Sequence, residues 1–303
     1  VIDVENIIRS KFEMKYSCNE DIRILTIDSP NYPNTLKVIK NPPPKLYCIG
    51  DISLLKKKSV AVVGSRKYTL YGKIVAQMVG KELAHAGIPV VSGLAYGIDS
   101  YAHEGTVNSS GKAIAVLGTG IDIIYPARNT WLYNKIAQSG LIISEYPPGT
   151  PGAKYTFPQR NRIISAISEA VVVVEAGLNS GSLITADFAC EQGKSIYAVP
   201  GNINSQFSVG TNKLIKDGAI PMISINDVAS DIKGFEYIPD DIETSLGHDE
   251  LEIYMEIQKS TCCTIDSIAH NLNKNAGKVS AILTVLEIKG IITTYGGKVF
   301  LAK

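Results

Sequence analysis

Four short runs of small residues hold most of the chemistry this sequence offers. They read Gly64-Ser65-Arg66-Lys67, Ser92-Gly93-Leu94-Ala95-Tyr96-Gly97-Ile98-Asp99, Gly118-Thr119-Gly120, and Glu175-Ala176-Gly177 followed by Ser180-Gly181-Ser182. Glycine lets backbone N–H groups close on an oxyanion, and helix N-termini favour negative charge, so turns of this composition suit phosphates. Arg66 adds a planar, bidentate fork and Lys67 a second cation. Any one run could equally be a tight strand-to-helix turn. Convergence of all four is what points to a phosphate site.

The segment Phe157-Pro158-Gln159-Arg160-Asn161-Arg162 adds an aromatic ring, two guanidiniums and a carboxamide. Stacking for bases and cations for backbone are the needs of single-strand binding. The alternative is a core Phe157 with arginines capping a helix. Tyr125, Tyr146 and Tyr155 are likewise either stacking surface or ordinary half-buried tyrosines. Neither G-x-G-x-x-G nor G-x-x-x-x-G-K-[ST] occurs, which disfavours NAD and P-loop ATP and leaves an extended nucleic-acid strand as the large polyphosphate. No cofactor is expected.

Signals for catalysis are weaker. Asp99, Glu145 and Glu175 fall near strand ends, while His85 and His103 fall in expected helices with no nucleophile beside them. Asp99 reads as a turn cap rather than a base. There is no G-x-S-x-G elbow or H-E-x-x-H helix, and the adjacent Cys262-Cys263 lacks metal spacing. Neither catalytic residues nor a metal is expected.

The elements that must position these runs follow from punctuation. Apolar, largely β-branched runs at 60–63, 88–91, 113–117, 141–143, 171–174, 195–199 and 220–223 alternate with helical stretches, the pattern of βαβ units and a mostly parallel sheet. In one such stretch Leu70, Ile74, Met78 and Leu83 recur at helical spacing before Gly87, a helix stop. In such sheets ligands bind beyond the carboxyl ends of the strands, where the Gly-rich runs fall. Residues 1–55, broken by Pro30, Pro33 and Pro42-Pro43-Pro44, read as a lead-in; 56–234 as the sheet domain; 235–250 as an acidic linker; and 251–303 as a winged helix. In that tail, helices are expected near 251–258, 265–271 and 276–289, then two strands around Gly296-Gly297.

Charge has to be read by segment. The 303 residues carry 30 Lys+Arg against 29 Asp+Glu, a net charge of +1 that by itself argues against binding nucleic acid by gross charge. Residues 56–234, however, hold 17 basic and 12 acidic side chains, a surplus of five cations. Residues 235–258 hold eight acids and no base, and 259–303 hold six bases and two acids. The five cysteines, Cys18, Cys48, Cys190, Cys262 and Cys263, contain no C-x-x-C pair, so reduced thiols are expected. No apolar run approaches the roughly 20 residues that cross a bilayer, and no signal pattern opens the chain, so a cytoplasmic protein is expected.

Taken in order, the glycine-rich runs, Ala102-His103, Tyr125-Pro126, Ser144-Glu145-Tyr146-Pro147-Pro148-Gly149, the 157–162 segment and Val199-Pro200-Gly201 resemble the DNA-processing protein A family (DprA, also called Smf) over roughly residues 20 to 303. The resemblance implies an extended Rossmann-like domain that binds single-stranded DNA and forms homodimers. It also implies loading of a RecA-type recombinase onto incoming strands in natural transformation. Carried over by position, the DNA contacts fall on Gly64, Ser65, Arg66, Gly93, Phe157, Arg160, Asn161 and Arg162, with Lys154 and Lys112 beside them. Lys67, Gly181 and Ser182 join from the turns themselves. The family often begins with a helical sterile-alpha-motif-like domain; the lead-in, residues 1–55, is too short for a complete one and is expected as a remnant of it. The third helix expected in the tail starts without Arg, Asn or Gln to read base edges, so protein or nonspecific DNA contact is expected there. The rival reading is a Rossmann-like enzyme cleaving nucleoside monophosphates with Glu175, although Glu175-Ala176-Gly177-Leu178 lacks the Pro-Gly-Gly turn such enzymes resemble. A duplex-binding repressor is a third.

Overall fold

Strands whose residues are buried on both faces must lie between two layers of helix, and this accounts for the main unit. The computed structural model describes residues 14–15, 22–233, 246–259 and 263–301, which fall in two units, residues 1–233 and 234–303.

The strands of the main unit are β1 (Met14–Lys15), β2 (Arg23–Thr26), β3 (Lys45–Gly50), β4 (Val60–Val63), β5 (Val90–Ser92), β6 (Ala113–Leu117), β7 (Ile123–Ile124), β8 (Leu141–Ser144), β9 (Ala170–Val173), β10 (Ser195–Ala198) and β11 (Ile220–Pro221). Nine form one sheet in the order β11-β10-β9-β4-β5-β6-β8-β3-β2, and β1 pairs separately with β7. From β11 to β8 the pairing is parallel, and β3 and β2 complete the edge antiparallel. The expected lead-in is therefore no separate segment. Two of its stretches are edge strands of the same sheet, and the extended backbone its prolines enforce suits that place.

The helices are α1 (Asn34–Lys37), α2 (Leu70–His85), α3 (Ile98–Asn108), α4 (Thr130–Ser139), α5 (Thr156–Ala166), α6 (Gly181–Glu191), α7 (Val209–Lys216) and α8 (Asn226–Lys233). Strand residues alternate between two cores. Ile114 and Val116 face the side of Ile163, Ile164, Ala186 and Ala189 from α5 and α6. Ala113, Ala115 and Leu117 face Leu132, Tyr133 and Ile136 of α4. This is the expected Rossmann-like α/β architecture.

Helix α2 forms where expected and ends before Gly87 at φ +63°, but the face it buries differs. Val75, Ala76, Val79 and Leu83 are inside, whereas Leu70, Ile74 and Met78 are exposed. Close helix packing explains the choice of face. A Cβ on Gly80 would lie 2.1 Å from the Ala102 carbonyl of α3, and one on Gly105 would lie 2.1 Å from the Gln77 carbonyl. The small residues let α2 and α3 approach, and the larger apolar residues are left outside.

The second unit contains α9 (His248–Lys259), α10 (Ile265–Asn271), α11 (Ala276–Ile288) and the antiparallel hairpin β12 (Ile292–Tyr295) and β13 (Lys298–Leu301). Three helices then a hairpin is the expected order, and Thr264 with Ser267 forms a capping box at α10. Ile253, Ile257, Ile268, Val279, Leu283, Leu286, Ile292 and Val299 form its core. Most of the expected acidic linker, with Cys18 and Cys262, lies outside the described residues. Cys48 and Cys263 are buried and Cys190 is exposed.

Candidate functional site

Strand order reverses at β4, with β5, β6 and β8 on one side and β9, β10 and β11 on the other. The crevice of such a sheet opens at that switch point, between the carboxyl ends of β4 and β9. The register, Val60 with Ala170 through Val63 with Val173, leaves the two ends level. A cleft of about 660 Å³ lies there, lined by Gly64, Ser65, Arg66 and Lys67 after β4, Lys154 and Phe157 at the start of α5, Arg160 and Asn161 further along it, and Asn179, Ser180, Gly181 and Ser182 at α6. Ten of the sequence-predicted residues meet in this cleft.

The loop after β4 is pinned from both sides. Ser65 N–H donates to the Glu175 carbonyl at 2.8 Å, and the Ser65 hydroxyl accepts from Lys67 N–H at 3.1 Å. Glu175, buried to 2% exposure, accepts from Thr69 N–H at 2.9 Å and from the Thr69 hydroxyl, while that hydroxyl caps α2 by accepting from Gly72 N–H at 3.1 Å. Glu175 is thus committed to holding the start of α2. Gly97, at φ +94°, sits so close that a Cβ would meet the Ser65 carbonyl at 2.5 Å.

Phe157 is clamped between glycines. A Cβ on Gly118 would lie 2.7 Å from its ring, and one on Gly152 2.8 Å. The Tyr125 ring lies 5.2 Å away, and the Arg66 guanidinium 5.3 Å from the Phe157 centroid, a cation–π contact that leaves exposed Arg66 facing solvent. Across the cleft, Ser180 caps α6, its Oγ accepting from Ser182 N–H at 3.4 Å. A Cβ on Gly181 would meet nothing within 4 Å, so the amide end of the helix opens into the cleft. Asn161 donates from Nδ2 to the Gly181 carbonyl at 3.2 Å and ties α5 to this end.

The floor carries buried charge. Arg160, 3% exposed, donates from Nη1 to the Gly93 carbonyl at 2.8 Å and to the Val116 carbonyl, and a Cβ on Gly93 would strike its guanidinium at 2.5 Å. Burial lowers the Arg160 guanidinium to about 10, so it stays cationic at neutral pH. Asp99 accepts from Gly93 N–H at 3.1 Å; burial raises its carboxyl, against the pull of Arg160 and Arg66. Burial also drops His103, at 0% exposure, to about 3 and keeps its imidazole neutral.

Two sequence-predicted residues lie apart from the cleft. Arg162 is buried in a bidentate pair with Glu145, at 2.8 and 2.7 Å, and its Nε donates to the Asn41 carbonyl at 3.0 Å. It fastens α5 to the edge segment and offers no fork to a ligand. Lys112 immediately precedes β6, at the amino end of the strand, where its Nζ donates to the Ser139 carbonyl at 2.9 Å. Gly93 acts from beneath, through Arg160. Sequence reading missed Asn179 and Gly152; the Pro151-Gly152 step before Lys154 was the available signal for the latter.

A cleft at the switch point of a parallel sheet, rimmed by a glycine-rich turn, exposed cations and a helix N-terminus, marks this as a Rossmann-like α/β protein. The chain belongs to the DNA recombination-mediator protein A family, whose pattern matches residues 23–233. DNA processing protein DprA of Bacillus subtilis (strain 168) is 41% identical over 222 residues, 73% of each chain. Protein Smf of Escherichia coli (strain K12) is 35% identical over 283 residues, 90% of this chain and 76% of that one. The X-ray structure of DNA processing protein A from Streptococcus pneumoniae superposes with a TM-score of 0.68 at 38% identity, covering 78% of this chain and 80% of that chain. A structure of the Helicobacter pylori protein, described for its single-stranded DNA binding mode, gives 0.65 at 34% identity, covering 74% of this chain and all of that one.

Proposed function

We propose that this protein binds single-stranded DNA, with little regard to sequence, in the cleft between β4 and β9, and presents it to a RecA-type recombinase during uptake of DNA. The observation that carries the reading is the rim itself. Exposed Arg66, Lys67 and Lys154 surround a clamped aromatic ring and face the amide end of α6, which supplies cations and donors for phosphates and a platform for bases. The family description as a recombination mediator and the single-stranded DNA binding named for the Helicobacter pylori relative support it.

The protein acts without cofactor or catalysis in this reading. Glu175, the group a nucleotide-cleaving enzyme would need, is buried and spent on Thr69 and the start of α2. Among the described residues no helix is long and apolar enough to cross a membrane, which fits work in the cytoplasm. Homodimer formation belongs to the same reading; the exposed apolar residues Leu70, Tyr71, Ile74 and Met78 on α2 give it surface to bury. The second unit serves, as a winged helix, for protein contact rather than sequence reading, because Lys274, Lys278 and Lys289 are paired with Asp249, Glu252 and Glu250.

The test is binding of oligo-dT against duplex of the same length at matched salt. Single strands should bind more tightly, and Arg66→Ala should weaken them about tenfold and flatten the slope of log K against log salt by roughly one phosphate contact. Equal affinity for duplex, or an unchanged slope in Arg66→Ala, would overturn the reading.

A further inference from the structure

A second aromatic and cationic surface adjoins the cleft, and none of the sequence-predicted contacts includes it. Tyr68 follows Arg66 and Lys67 directly. Its ring meets Tyr96 edge-on at 5.7 Å and Tyr101 at 4.9 Å, and its hydroxyl bonds the Tyr101 hydroxyl at 2.6 Å and the Tyr96 hydroxyl at 3.3 Å. The three rings are half-exposed and lock one another in place. Two cations lie on them: the Arg128 guanidinium 4.4 Å from the Tyr96 centroid, and Lys73 Nζ 5.0 Å from that of Tyr101.

We propose that this patch is a second binding segment for single-stranded DNA, over which the strand runs as it leaves the Arg66–Phe157 end of the cleft. The inference rests on the proposed DNA binding of the cleft. Continuity carries it: a small cavity of about 90 Å³ is lined by Tyr96 together with Arg66, Tyr125 and Phe157, so the two aromatic platforms share a wall. Chemistry carries it too. A cation held over a ring is oriented at small entropic cost and keeps N–H donors for phosphate, and the rings give bases a sequence-tolerant surface. The two platforms repeat one device, Arg66 on Phe157 and Arg128 on Tyr96. No carboxylate pairs with Arg128 or Lys73 among the described residues. The occupant is therefore polyanionic and flexible, as a continuing strand is.

The full chain should be titrated with a short oligo-dT of about six nucleotides, enough for the cleft, and a long one of about twenty. Arg128→Ala, at an exposed side chain, and Tyr96→Ala should each weaken the long strand about tenfold and leave the short one unchanged, whereas Tyr96→Phe should keep wild-type affinity for both. Long-strand affinity unchanged in Arg128→Ala and Tyr96→Ala overturns the second segment alone. Equal losses on both lengths also overturn it, since the residues would then act through the cleft. A wild-type chain that binds neither strand overturns the underlying reading instead.

Discussion

The sheet unit carries a surplus of cations and the C-terminal unit a surplus of acids, and the two place their basic side chains differently. In the C-terminal unit, Lys274 pairs with Asp249 and Glu252 at 2.5 and 2.6 Å, Lys278 with Asp249 at 2.7 Å, and Lys289 with Glu250 at 2.8 Å. The acids come from α9 and the lysines from α11 and its flanks, so these acidic and basic side chains neutralise each other inside one small domain. In the sheet unit, none of the ion pairs among the described residues includes Arg66, Lys67 or Lys154. Charge in the first case fastens helices, and in the second it stays free for a ligand. Counting cations does not tell these apart, whereas locating their partners does.

Within the sheet unit the same division separates buried from free arginine, and this gives the largest effect. Arg160→Ala leaves the Gly93 and Val116 carbonyls without their donor and buried Asp99 without one of its two neighbouring cations, and should cost about 3 kcal/mol or more in urea unfolding. Arg160→Lys should recover little of it, because one ammonium cannot reproduce the fork. A variant as stable as wild type would place Arg160 with the ligand-facing residues.

Acid should also weaken this unit. His103 is neutral in both states above pH 6.5. Below it the unfolded chain takes up a proton that the folded chain refuses until about pH 3, so stability should fall with pH across that window. Asp99, whose carboxyl is raised, works in the opposite sense at the acid end, so the loss is read in the upper part of the window. Melting temperature against pH should show it, and His103→Gln should flatten the curve.

Arg162→Ala comes next. Losing the bidentate bond to Glu145 should cost about 2 kcal/mol of stability, with no change in oligo-dT affinity or salt slope. A shallower slope would return Arg162 to the phosphate contacts. Smallest of all, Lys274→Ala with Lys278→Ala should leave oligo-dT binding unchanged in the full chain and lower stability only slightly, since solvent reaches the carboxylates of these pairs and screens them. A clear loss of DNA affinity would erase the contrast between the two units.

Much of the site was legible because the glycine-rich runs fall at strand ends, and chain order alone says that loops after parallel strands converge. Arg162 was not legible as a set of separate residues in a basic run. Once 156–166 is a helix, Phe157, Arg160 and Asn161 share a face at spacings of three and four, while Arg162 is carried around toward Glu145. The exposed face of α2 was hidden for a different reason. Apolar spacing alone cannot show that Gly80 and Gly105 draw two helices together and fix which side is covered.

The sequence by itself determined the alternation of strand and helix, the positions of the phosphate-suited turns and the family, because each depends on local residue type and order. The tertiary structure alone decided which cations remain free, that Glu175 holds a helix start, and that Tyr68, Tyr96 and Tyr101 meet beside the cleft. The physical reason is that availability of a charge or a ring is a property of its partners, and those partners come from distant parts of the chain.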